Sequence, residues 1–272
     1  MLKTIQRVGV LFFFVSSAFA ANVETDKMTR LSTLMDKSGI NASLMYFPDT
    51  LKAIAAQEKP AKCSASREAM SHFSMAVDGA FNAETLAHNM HAKLYDMMSL
   101  QDIEAVLAWL NSPLGQKITA LEIQAASPQA LAATEAQFST LAQNAARVAL
   151  LEKFNDATKM VEYTTILSEK MQTSVVKAFI RNGASVKKVS LQALQVDLAK
   201  NRSRLRKNIA HEIKMSSLYT YQSLTDAEFK QYIDFLQSPL GQKYHTATII
   251  ALSQITAQAG ERFGQLLMSI RT

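Results

Sequence analysis

Three side chains in the first half of the chain have types and spacing that suit a metal. Glu84, His88 and His91 are four and three residues apart, so a helix would set all three on one face. Met90, Met97 and Met98 lie close by, and thioether sulfur suits Cu(I). The same residues have a plainer use, because methionine fills irregular helical cores and the histidines would then line a solvated rim. The plainer use is the expectation, with no metal and no cofactor. The run from His211 to Met215 lacks the second histidine of the HExxH zinc motif.

A second set of residues could act by charge. Lys200, Arg204, Lys207, His211 and Lys214 are spaced four, three, four and three apart. On a helix they form a stripe opposite Leu198, Leu205 and Ile209. Such a stripe is a candidate contact for an anionic surface, a lipid headgroup or an acidic partner. It is equally what a solvated helix face looks like. No aromatic residues interleave the bases, so nucleic acid is not the expected partner.

Enzyme signatures are missing. There is no GxSxG, no glycine-rich phosphate loop, no CxxC and no GxGxxG. The single cysteine, Cys63, excludes a disulfide within the chain and a cysteine-based structural zinc site. Its thiol is either buried or paired between chains. The expectation is a non-enzymatic protein.

The elements that must carry these residues follow from composition. Eight glycines and five prolines in 272 residues leave too few turn signals for a β-sandwich or barrel. Apolar residues make up 48% of the chain, ample for a core. The remaining class is all-α.

A repeat organises the chain. Tyr95 to Lys117 and Tyr221 to Lys243 align without a gap at an offset of 126 residues. Tyr95/Tyr221, Leu110/Leu236 and the whole run from Ser112 to Lys117 are identical in the two copies. In each copy Ser99 or Thr225 is a helix N-cap, with Asp102 or Glu228 three residues on to complete a capping box. The helix that follows puts Ile103, Val106, Leu107 and Leu110 on one face, matched by Phe229, Tyr232, Ile233 and Leu236. Ser112 and Ser238 then cap a new helix whose first residue is Pro113 or Pro239. Each copy is therefore a helix, a sharp corner and another helix. Gly115 and Gly241 fall in the first turn of the second helix, where glycine costs about 1 kcal/mol, which implies close approach by another helix. Leu110, Leu114, Leu236 and Leu240 are expected to be buried, with Trp109 and Phe235 in equivalent pockets. The fold class is thus all-α, a tandem duplication of the helix–corner–helix unit in a multi-helix bundle. The units divide at residue 147, into 21–147 and 148–272.

The remaining helices are expected at Glu24–Lys37, Pro48–Glu58, Ser66–Val77 and Ala83–Met97. Further helices run from Pro128 to Phe154, from Asp156 to Arg181 with a stop at Asn182-Gly183, from Ser190 to Tyr221, and from Pro239 to Ile270 with loosening at Gly260 and Gly264.

Residues 1–20 read as a secretory signal peptide. Lys3 and Arg7 precede an apolar run from Val8 to Val15, and Ala18-Phe19-Ala20 is a cleavage site. The run is far short of the roughly 20 residues a membrane span requires. Without these residues 252 remain, and two bases but no acids are lost, so the net charge falls from +6 to +4. The expected location is outside the cytoplasm, in the periplasm or secreted, with no transmembrane segment after cleavage.

With its capped helix, its aromatic-leucine pair and Ser-Pro-Leu-Gly-Gln-Lys, the chain resembles the bacterial domain-of-unknown-function 2059 family. Leu224 to Tyr244 is the nearer match. In the first copy Leu100-Gln101 replaces Asp-Ala, and Ile118 replaces the closing tyrosine. The resemblance implies an exported, all-helical protein and supplies no catalytic residues. Two function classes remain. One is an envelope interaction protein that contacts another protein or the membrane surface. The other is a carrier with an apolar small molecule between the repeats, which requires a cavity there of about 300–1,000 Å³.

Overall fold

The computed structural model describes residues 24–57, 67–181 and 190–269. Residues 1–20, Cys63 and Asn182-Gly183, to which the sequence assigns roles, lie outside the described residues. Every regular element described is helical. In chain order these are α1 (24–37), α2 (Ile40–Gln57), α3 (Arg67–Ala80), α4 (Ala83–Met97), α5 (Leu100–Leu110), α6 (Pro113–Ala125), α7 (Pro128–Leu141), α8 (Ala145–Thr158), α9 (Met160–Arg181), α10 (Leu191–Thr220), α11 (Asp226–Gln237) and α12 (Pro239–Ser269).

Three boundaries differ from the sequence expectation, each for a local reason. α2 starts at Ile40 and contains Pro48. A proline inside a helix forfeits one backbone hydrogen bond. Here Leu44 is buried, and Phe47 and Leu51 pack on the same core, so packing carries the helix through. The single helix expected from Pro128 to Phe154 is two, because the Asn144 side chain accepts from the Arg147 amide (3.0 Å) and starts α8. α8 then ends at Lys159, whose φ of 52° is left-handed, and α9 begins at the next residue.

α12 is not loosened at Gly260 and Gly264. Both are buried within a continuous helix, and they let α9 approach closely. A β-carbon at 264 would lie 2.8 Å from the Val175 carbonyl oxygen.

Two hydrophobic cores form, and each draws on both copies of the repeat. The first gathers Leu31, Leu34, Met90, Leu94, Ile103 and Leu110 with Ala247, Ala251, Ile255 and Ala259 of α12. The second gathers Leu150, Phe154, Leu218, Phe229, Ile233 and Leu236 with Ile118 of α6. The helix after each corner therefore also packs on the other copy: α6 lies on α10 and α11, and α12 lies on α3, α4 and α5 while running along α9 of its own copy.

Candidate functional site

The two corners share one geometry. Ser99 and Thr225 both form complete capping boxes with Asp102 and Glu228. Ser112 (φ −66°, ψ 154°) and Ser238 (φ −64°, ψ 154°) have the same backbone, and each Oγ accepts from the glycine amide three residues on at 3.0 Å. The close approach inferred for the glycines is made by the helix just before the corner. A β-carbon at Gly115 would lie 2.3 Å from the Trp109 carbonyl oxygen, and one at Gly241 2.0 Å from that of Phe235.

The glutamine after each glycine closes the corner. Gln116 Nε2 donates to the Asn111 carbonyl (2.8 Å), and Gln242 Nε2 donates to those of Leu236 (2.6 Å) and Ala157 (2.8 Å). Leu110 and Leu236 are buried as expected. Leu114 and Leu240 are only partly buried, since they sit on the first turn of a helix that starts at the surface.

The lysine that ends each motif reaches across to the other copy. Lys117 Nζ lies 2.7 Å from Glu228 Oε1, and Lys243 Nζ lies 2.5 Å from Asp102 Oδ2. Positions 102 and 228, like 117 and 243, differ by the repeat offset, so the contacts are reciprocal, as in an isologous two-fold interface. Lys117 and the Thr225 cap hold the Glu228 carboxyl down to about 2. Lys243 and Ser99 lower Asp102 in the same way. Trp109 and Phe235, expected in equivalent pockets, stack on each other, with centroids 4.0 Å apart and planes at 10°. Equivalent side chains meet in this way only near the axis relating the copies.

Beside this stack lies a cavity of about 380 Å³. α5 and α6 of the first copy line it together with α8, α10, α11 and α12. Its polar centre is Glu122 on α6. Tyr221 and Tyr232 donate their phenol protons to Glu122 Oε1 at 2.7 and 2.8 Å. Burial raises the Glu122 carboxyl from its ordinary value, and the two phenols pull it part of the way back. Burial and the facing Glu122 charge hold Tyr221 and Tyr232 well above the ordinary phenol value. Burial pushes Tyr244, also on the wall, up to about 12. It lowers His245, whose Nε2 lies 2.8 Å from the Thr158 carbonyl oxygen, a contact that puts the proton on that nitrogen.

The sequence does not single out this group. Glu122 is 99 and 110 residues from its two phenol partners. The available signal is a lone carboxylate on an apolar stretch, Leu121-Glu122-Ile123, inside a helix.

The residues that the sequence does single out lie elsewhere. Glu84 and His88 are exposed, and His91 Nε2 lies 3.2 Å from the Met28 carbonyl oxygen. Among the described residues no group of three or more His, Cys, Asp or Glu is placed to hold a metal. Met90 and Met98 are buried in the first core. Lys200, Arg204, Lys207, His211 and Lys214 are all exposed along α10. Their neighbours Arg202 and Arg206 pair with Glu162 of α9, and Arg202 also with Glu169, whereas none of the five has an ion pair among the described residues. The His211 ring meets Phe138 edge-on at 5.0 Å. No helix among the described residues is long and apolar enough to cross a membrane.

Comparison with known proteins returns one match, and it falls on the duplicated unit. The sequence model of a family described as "Uncharacterized protein conserved in bacteria (DUF2059)" matches residues 87–143 and 214–269. No curated protein and no solved structure matches the chain. Each match begins two helices before a corner and runs past that corner, so the family model matches the chain twice, once in each half.

Proposed function

We propose that this is an exported, non-enzymatic binding protein that carries a small molecule in the cavity between its two copies. The cavity is the observation that supports this reading. Its volume of about 380 Å³ falls within the range of ligand sites, roughly 300–1,000 Å³. Its walls combine aromatic and aliphatic side chains with serine and threonine hydroxyls, Glu122 and His245, so apolar surface and convergent polar groups are both present, as in small-molecule sites generally. Binding fits better than catalysis, because the phenols hold their protons and His245 contacts a backbone carbonyl rather than a lining hydroxyl. Export, with a periplasmic location, is supported by the charged start, apolar run and cleavage site in residues 1–20. Native mass spectrometry of the chain purified from its own envelope tests the reading. A retained small molecule, lost in the cavity-filling variant Ala125→Trp with folding intact, is the expected result. The bare chain mass in both would contradict it.

One observation supports a second role. The five exposed bases on α10 have no ion pair among the described residues, which leaves them available to an anionic membrane surface. Each base near such a surface contributes about 1 kcal/mol, so replacing Arg204 and Lys207 together should weaken vesicle binding roughly thirtyfold. Co-sedimentation with anionic vesicles at low and high salt is the test, and binding that salt does not weaken would contradict it.

A further inference from the structure

We propose that the cavity takes an organic cation, an ammonium group on an apolar body, with Glu122 as its counter-charge. The inference rests on the small-molecule reading above and names the ligand class for that site.

Four observations support it. First, among the described residues no lysine or arginine lines the cavity, so Glu122 has no basic partner among them there. Second, both phenols donate to Oε1, and Oε2 takes no hydrogen bond from the described residues. Oε2 is not cut off from water, so a ligand that fills the cavity would displace that water, and a ligand N–H or cationic methyl group would replace it at the oxygen. Third, the walls present the aromatic rings of Trp109, Phe154, Tyr232 and Phe235. Aromatic faces around a carboxylate suit ammonium groups, since ring quadrupole and carboxylate attract the same charge. Fourth, burial keeps His245, the one potential cation on the wall among the described residues, toward its neutral form.

The alternatives fit less well. An anion would meet Glu122 with no countercharge beside it. A neutral apolar ligand would cover Oε2 without pairing it. A positive net charge, +6 for the full sequence and +4 without residues 1–20, gives a cation no long-range attraction, so selection has to arise within the site.

The test uses benzyltrimethylammonium and its neutral carbon isostere, neopentylbenzene. Trp109 is the only tryptophan in the sequence and lies on the cavity wall, so its fluorescence reports occupancy in the full chain. Calorimetry gives the affinities. The cation is expected to bind at least about tenfold more tightly than the isostere, and Glu122→Gln to weaken the cation by a similar factor with little effect on the isostere. The amide oxygen of Glu122→Gln can still accept both phenol protons, and circular dichroism checks that the variant folds. The comparison of the two probes on the unmodified chain stands even where the variant fails to fold. Equal affinity for the two probes, or a Glu122→Gln variant that binds the cation unchanged, overturns the cation assignment while the cavity reading survives. Binding of neither probe overturns both.

Discussion

The two corners share their caps, their proline and their glycine contact, yet the helices around them differ in length. In the first copy α6 stops at Ala125, and Ser127-Pro128 starts a new helix. At the matching positions the second copy has Ser253-Gln254, and α12 continues to Ser269. Before the corner, Asn82 caps α4 after Gly79-Ala80-Phe81, whereas the matching Asn208 lies inside α10 after Leu205-Arg206-Lys207. The corner is thus set by a few local hydrogen bonds, while arm length is set by single breakers. The longer arm of the second copy carries Ala251, Ile255 and Ala259 deep into the first core.

The most severe way to break the equivalence is to hollow out either core. Leu110→Ala and Leu236→Ala, both at positions 4% exposed, should each cost about 2–5 kcal/mol in denaturant unfolding. A loss at one position with none at the other would mean that the copies do not bear equal loads.

Next come the glycines. Gly115→Ala and Gly241→Ala push a β-carbon into the carbonyl of the preceding helix and should each cost about 1–3 kcal/mol. Gly260→Ala should cost less, because its nearest neighbour is the flexible Met171 side chain at 3.2 Å.

The glutamines sharpen the comparison by differing. Gln242→Ala removes two hydrogen bonds to backbone carbonyls and Gln116→Ala one, at about 1 kcal/mol each, so the second corner should suffer more in the same unfolding measurement.

The exposed lysine contacts should give the smallest effect, and it should be pH-dependent. Asp102 and Glu228 titrate below their ordinary values of 3.8 and 4.5 in the folded chain. Their contribution is therefore present above those values and is lost as pH falls toward about 2. Glu122 acts in the opposite sense: its raised value favours the fold in acid and costs stability as pH rises through the carboxylate range. Acid titration of Glu122→Gln removes the opposing contribution, and Lys117→Ala with Lys243→Ala should then reduce the acid dependence to the part that the Ser99 and Thr225 caps maintain.

Much of the corner is legible in the sequence because its determinants are adjacent. Ser99/Asp102, Thr225/Glu228, Ser112-Pro113 and Ser238-Pro239 each act over three residues or fewer. The exchange of α6 and α12 is not legible, because an amphipathic face states that it will be buried and not against which partner. Trp109 and Phe235 appear as two matched aromatics, and nothing in their spacing says that they stack on each other. The Glu122 group fails for the same reason, since three helices bring its members together over about 100 residues of chain. Pro48 was misleading because a strong local breaker was outweighed by Leu44 and its packed neighbours.

The exchange of helices between copies is the central structural claim, because it builds the cavity. A zero-length carbodiimide cross-linker, which joins a lysine only to a carboxylate in contact with it, tests it on the intact chain. The account predicts linked peptides Lys117–Glu228 and Lys243–Asp102, both spanning the two copies. Links of Lys117 to Asp102 and of Lys243 to Glu228, each confined to one copy, would contradict it.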